Sequence, residues 1–171
     1  MTDPATHPAA DPDVLAQACA DVMWTDDRAS QQLGMTLDHV AAGTATLSMT
    51  IRKDMTNGHG MAHGGFIFAL ADSAFAFACN SYNERTVAQA CDIVFAAPAR
   101  LGDVLVATAT ERHRFGRNGI YDVRVAQDNP DGAVIAEFRG RSREIGGQLV
   151  ALTTQMPTTP TTPTTPSPSG G

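Results

Sequence analysis

A chain of 171 residues with 43% apolar content can bury one good core, which allows one domain plus extensions. A net charge of −6 offers no positive field to gather phosphates, which argues against a nucleic-acid partner. Cys19, Cys79 and Cys91 are odd in number, scattered and without metal-type spacing, so they read as reduced thiols.

Acids and prolines stand at the N-terminus where a secretory signal would carry a basic start and an apolar stretch, and a cytoplasmic protein is expected. Residues 1–10 read as a flexible lead. Asp11 as N-cap and Pro12 at the first helical position then predict a helix to about Trp24, packing by Val14, Leu15, Ala18, Cys19, Val22 and Met23. Residues 26–32 add a short turn. Residues 33–40 and 43–51 predict a hairpin, because Ala45, Leu47, Met49 and Ile51 alternate with Thr44, Thr46, Ser48 and Thr50. A glycine-rich loop from Asn57 to Gly65 follows and runs into the longest apolar stretch of the chain.

Fourteen of the sixteen residues from Gly64 to Cys79 are Gly, Ala, Cys or large apolar types, and only Asp72 and Ser73 are polar. A helix here is apolar all round and has to be buried on every side. The run is shorter than the roughly 18 to 20 residues of a bilayer span and carries an acid at its centre, which argues against a membrane segment. Beyond it, residues 86–96, 103–115, 119–127 and 133–145 predict four strands separated by PARLGD, GRNG and NPDG. Helix, two strands, buried helix and four strands make an α+β fold, an antiparallel sheet wrapped around one helix over residues 11–148. Residues 149–171 end in a Thr/Pro repeat that has no apolar surface to bury, and a disordered tail is expected.

Burying an unpaired Asp costs several kcal/mol, so Asp72 faces either a cleft or donors that hold its charge. At the start of the same helix, Gly64 and Gly65 would let a ligand approach free N–H groups at the positive end of the dipole, the physics of an oxyanion hole. The glycines also fit a plain tight turn, and Asp72 also fits a structural acid. Eight residues at about 1.5 Å each put Asp72 roughly 12 Å along the axis from Gly64, further than an Asp side chain reaches. If both act on one carbonyl, the carboxylate comes from a second, antiparallel copy of the helix, and a two-fold axis then gives two shared sites per homodimer. His59 and His63 lack a third ligand nearby, which argues against metal. Asp72 and Ser73 point about 100° apart on a helix, which argues against a Ser/His/Asp relay.

The stretch NGHGMAHGGFIFALADSAFAFACN, followed by FAAPARLGD and GRNGIYDV, resembles the hotdog-fold acyl-CoA thioesterases over about residues 15 to 148, and closely resembles the branch serving phenylacetic acid degradation. The resemblance implies a hotdog fold, a homodimer pairing into a homotetramer, and hydrolysis of an aryl-acyl-CoA thioester such as phenylacetyl- or hydroxyphenylacetyl-CoA. It implies no metal and no cofactor beyond the CoA thioester, which is the substrate. By the same resemblance Asp72 is the catalytic acid, Gly64 the amide donor, and Asn57 and His63 position the thioester or water. Ala96 departs from the pattern, since relatives often carry a larger aliphatic residue before the proline.

Coenzyme A is anionic, so an acidic protein needs a local basic patch to hold it. Seven of the twelve Lys and Arg residues lie between 112 and 143, with Arg139, Arg141 and Arg143 sharing one strand face and Arg112 and Arg114 another. An ordinary solvated face fits them equally well. The turn Arg117, Asn118 and Gly119 resembles the family's CoA-contacting loop, and Gly65 is a further candidate for substrate contact. Phe66, Phe68, Phe75 and Tyr82 are available to line an aryl slot, though most suit a plain core better. Two other readings are a non-catalytic acyl-CoA-binding hotdog module, and a hotdog dehydratase, which wants a His supported by an acid and is a poor match.

Overall fold

The computed structural model describes residues 11–151, so the flexible lead and most of the Thr/Pro tail expected from the sequence lie outside the described residues. Helix α1 (Pro12–Asp26) begins as expected, with the Asp11 carboxylate accepting the Asp13 N–H and Pro12 in the first turn. Its packing face differs from the expected stripe. Ala16, Cys19 and Ala20 are buried, whereas Val14 and Val22 remain 66% and 45% exposed. Short side chains let the helix lie close on the sheet, and that closeness outweighs burying the two valines.

After the short helix α2 (Arg28–Gln32), β1 (Met35–Ala41) and β2 (Thr44–Thr50) form the expected hairpin, turning at Gly43 with φ +74°. Ala45, Leu47 and Met49 point inward, as the alternation predicts. The glycine-rich loop holds more structure than its sequence announces. A 3₁₀ turn at Lys53–Met55 buries Met55, and isolated bridges join Thr56 to Ala62 and Met61 to Arg100.

Helix α3 (Gly64–Cys79) is followed by β3 (Thr86–Phe95), β4 (Val104–Phe115), β5 (Asn118–Gln127) and β6 (Val134–Glu144). The six strands form one antiparallel sheet in the order β1-β2-β4-β5-β6-β3, which curls around α3. Leu70, Ala71, Ala74, Phe75, Phe77 and Ala78 bury the helix in that curl. Burial of each of the two phenylalanines contributes about 2 kcal/mol. Gly140 on β6 is what lets Phe75 lie flat on the sheet, because a Cβ there would stand 2.8 Å from the ring. This is the sheet-around-a-helix architecture expected from the sequence. Among the described residues no helix is long and apolar enough to cross a membrane.

Two surfaces stay uncovered. Strand β3 is a free edge ten residues long, with Val87, Val94 and Phe95 between 43% and 65% exposed. Beside it, Phe68, Ala69, Asp72, Ser73 and Ala76 form a half-buried stripe on the otherwise enclosed α3. A long, apolar, unpaired edge is a template for another strand.

Candidate active site

The geometry begins at the first turn of α3. His63 is its N-cap, in an extended conformation with φ −68° and ψ 131°, and its Nδ1 accepts the Gly65 N–H at 3.0 Å. An accepting Nδ1 leaves the proton of the neutral ring on Nε2. The Phe66 N–H goes to the His63 carbonyl. Among the described residues the Gly64 N–H has no acceptor, so it is a free donor at the start of the helix. Gly65, expected to face a ligand, has its own N–H occupied by His63.

That donor opens on a cavity of about 500 Å³ whose lining includes Met61, Ile67, Phe95, Ala96 and Ala97 beside Gly64. Phe95, at the end of β3, lies so close over the helix start that a Cβ on Gly64 would meet its Cζ at 2.9 Å. The aromatic residues proposed from the sequence do not build this slot. Phe75 is core, Phe68 packs edge-on against Phe138, Phe66 sits against His63, and Tyr82 lies beneath the Arg114 guanidinium. Ala96, where the sequence departs from the family pattern, does line the cavity and leaves it wider.

Asn57 holds the preceding loop. Its Oδ1 accepts from the N–H groups of His59 and Met61, and its backbone N–H donates to the Met61 carbonyl at 2.8 Å. The Asn57 Nδ2 has no acceptor among the described residues, which leaves an amide donor free on this loop. His59 is exposed on the same loop, and no group of three His, Cys, Asp or Glu side chains suited to a metal occurs among the described residues.

Asp72 stands two turns further along α3, on the half-buried stripe. Burial pushes its carboxyl above the usual carboxylate range, and a hydrogen bond from Cys91 pulls partly the other way. The Cys91 Sγ on β3 donates to Asp72 Oδ1 at 3.8 Å, the only hydrogen bond to this carboxylate among the described residues. Ser73 turns away to the Ser30 hydroxyl at 2.9 Å, so the adjacent pair forms no relay. One thiol donor among the described residues falls short of the capping network that would fill the lone pairs of a structural acid.

Arg117, Asn118 and Gly119 lie at the other end of α3, grouped with Cys79 and Thr86. The Arg117 Nη2 donates to the Glu144 carbonyl at 2.8 Å, and Asn118 Oδ1 accepts from Arg143 at 3.5 Å. Gly119 is buried, with the place of a side chain taken by Tyr121 and Ser142. The arginine stripes are largely neutralised on the outer face of the sheet. Arg112 and Arg139 both hold Asp122, Arg141 holds Asp92, Arg124 holds Glu137, and Arg114 pairs with Glu84. That is the solvated-face alternative. Sequence reasoning missed Cys91 and Phe95, although alternation along β3 puts both on the same inward face as Ile93.

Comparison with known proteins gives a consistent result. Residues 59–134 match the thioesterase superfamily model. The chain is 42% identical over 130 residues to acyl-coenzyme A thioesterase PaaI of Escherichia coli K12, covering 76% of this chain and 91% of that one. The structure of the E. coli PaaI protein from the phenylacetic acid degradation operon superposes with a TM-score of 0.77 at 40% identity, covering 80% of this chain and 97% of that one. A mutant of the phenylacetic acid degradation protein PaaI from Thermus thermophilus superposes at 0.66 with 35% identity, covering 70% of this chain and 100% of that one. Helix, curled sheet, free amide and unsatisfied acid thus sit in a chain that belongs to the thioesterase superfamily and has its hotdog fold.

Proposed function

We propose that this protein hydrolyses aryl-acyl-coenzyme A thioesters, phenylacetyl or hydroxyphenylacetyl among them, to the free acid and coenzyme A, at two sites shared across a homodimer. The observation that carries the proposal is the pairing of an unclaimed Gly64 N–H at an apolar cavity with an underbonded Asp72 carboxylate that its own chain holds too far away. The relatives named for acyl-CoA thioester hydrolysis and phenylacetic acid degradation support the substrate class.

The free edge of β3 and the open stripe of α3 lie side by side and suit a two-fold partner. With Asp72 set against the partner's Gly64, the two helices overlap over residues 64–72. Cys79 then lies seven residues beyond, about 10 Å along the axis from the partner's amide. The Arg117 turn, remote from its own Gly64, stands beside the other subunit's mouth, where the nucleotide end of coenzyme A leaves. The dimer pairs further into a homotetramer.

In this arrangement the thioester carbonyl accepts from Gly64, and its developing negative charge meets the dipole of α3. Asp72 either attacks the carbonyl carbon, giving a mixed anhydride that water then hydrolyses, or takes a proton from the attacking water; either way the carbon–sulfur bond breaks, the sulfur leaves as coenzyme A and one water is consumed to give the free acid. Asn57 Nδ2 and His63 Nε2–H are the donors that position thioester or water. The cavity by Ile67 and Phe95 receives the ring. The reaction uses no metal and no cofactor besides the substrate's own coenzyme A.

The test is complementation. Asp72→Ala removes the acid, and Gly64→Pro combined with Phe95→Ala removes the amide, keeps an allowed first helical position after an extended residue and clears the space the proline ring needs. Each variant alone is expected to be inactive toward phenylacetyl-CoA. Mixed by unfolding and refolding together, half the dimers are hybrids with one intact site of two, so about a quarter of the wild-type activity returns. A mixture as inactive as its parents rules out the shared site.

A further inference from the structure

Cys91 is the second protein atom in the neighbourhood of the acid, and the reaction as described gives it no task. It lies on β3 between Ala90 and Asp92, turned inward with Ile93, and its sulfur reaches the Asp72 carboxylate across the gap between edge strand and helix. Its thiol is held protonated. Burial first, then the neighbouring Asp72 charge, pushes it up to about 11, so at neutral pH it is a donor and not a nucleophile. Asp72 has no other donor among the described residues, and one of its oxygens is left for substrate.

We propose that Cys91 is a positioning residue for hydrolysis: its S–H group holds Asp72 Oδ1, fixes the rotamer of the carboxylate and leaves Oδ2 aimed out of the half-buried stripe toward the reacting carbonyl. A sulfhydryl suits this place better than a stronger donor. It orients the carboxylate while stabilising its charge only weakly, so the acid keeps its basicity. The inference rests on the role given to Asp72 above. The charged and titratable groups facing this pair are few. Cys79, one helical stretch further on α3, is pushed up to about 12, chiefly by burial, and stays neutral. From the outer face, Asp92 and Arg141 act on Cys91 with opposite signs and hold each other at 3.2 Å.

The experiment compares Cys91→Ala and Cys91→Ser with wild type in kcat against pH on phenylacetyl-CoA, and follows Asp72 directly by carboxyl-carbon NMR titration. Losing the donor disfavours the carboxylate, so in Cys91→Ala the acid limb moves to higher pH. Turnover falls roughly threefold to tenfold at every pH, because the carboxylate is no longer aimed, and falls further on the shifted limb, while KM changes little. In Cys91→Ser a hydroxyl restores the donor, and the limb returns to or below its wild-type position. An unchanged Cys91→Ala plateau, or an Asp72 titration that does not shift, overturns the proposal. So does a serine variant that behaves like the alanine one. The NMR titration does not depend on turnover: if Asp72→Ala proves fully active, the hydrolytic role falls, while a shifted titration in Cys91→Ala still establishes the contact.

Discussion

Asp72 and Asp122 are the same residue in opposite circumstances. Asp122, on the outer face of the sheet, is gripped by Arg139 at 2.7 Å and Arg112 at 2.8 Å. The Arg139 hydrogen bond, helped by Arg112, holds its carboxyl below the usual carboxylate range. Asp72, between helix and edge strand, has a lone thiol at 3.8 Å and is pushed the other way by burial. One acid has its charge satisfied and serves the surface. The other is left wanting, and an unsatisfied charge in a half-closed place is what chemistry can use.

The comparison breaks most visibly in turnover. Asp72→Ala is expected to lower kcat at least about a hundredfold, whereas Asp122→Ala changes it less than about threefold, measured by thiol release from phenylacetyl-CoA. Equal effects at the two positions would abolish the distinction.

Stability sharpens it with the opposite sign. Because the folded-state pKa of Asp72 is raised, the unfolded chain ionises first, and the wild type loses stability as pH climbs from the ordinary Asp value of about 3.9 through the folded value. Asp72→Asn escapes that loss. Its urea midpoint should exceed the wild type's at neutral pH and coincide with it in acid, so that the dead enzyme is the sturdier one.

The smallest effect belongs to Arg139→Ala. The depressed Asp122 contributes stability that is present above the ordinary Asp value and lost as pH falls through its folded value. The variant should therefore be slightly weaker at neutral pH, with the gap closing in acid and narrowing in high salt. A gap that grows in acid would show that Asp122 is not held by its arginines.

Most of the fold is legible in the chain because its signals are local. Alternation in β2, the Asp11-Pro12 start and the wholly apolar run of α3 each name their element within a few residues. The face of α1 is not legible, since whether Val14 or Ala16 turns inward depends on how closely the sheet approaches. The site divides in the same way. Asp72 is conspicuous as the one charge in a greasy run, and Gly64 as the glycine before it. Cys91 and Phe95 come from a strand that passes the helix only in three dimensions, so nothing near them in sequence announces which acid or which amide they meet. The aryl slot fails for a related reason: the phenylalanines of α3 belong to the helix that must be buried, and the wall facing the amide is supplied by the chain that returns past it.

The ring of Phe95 over Gly64 couples two positions that lie thirty-one residues apart. With the ring in place, any side chain at 64 needs the space that Phe95 occupies. Homologous chains should therefore inherit the pair together: where 95 is a large aromatic, 64 stays glycine, and a lineage that gains a methyl at 64 carries a smaller residue at 95.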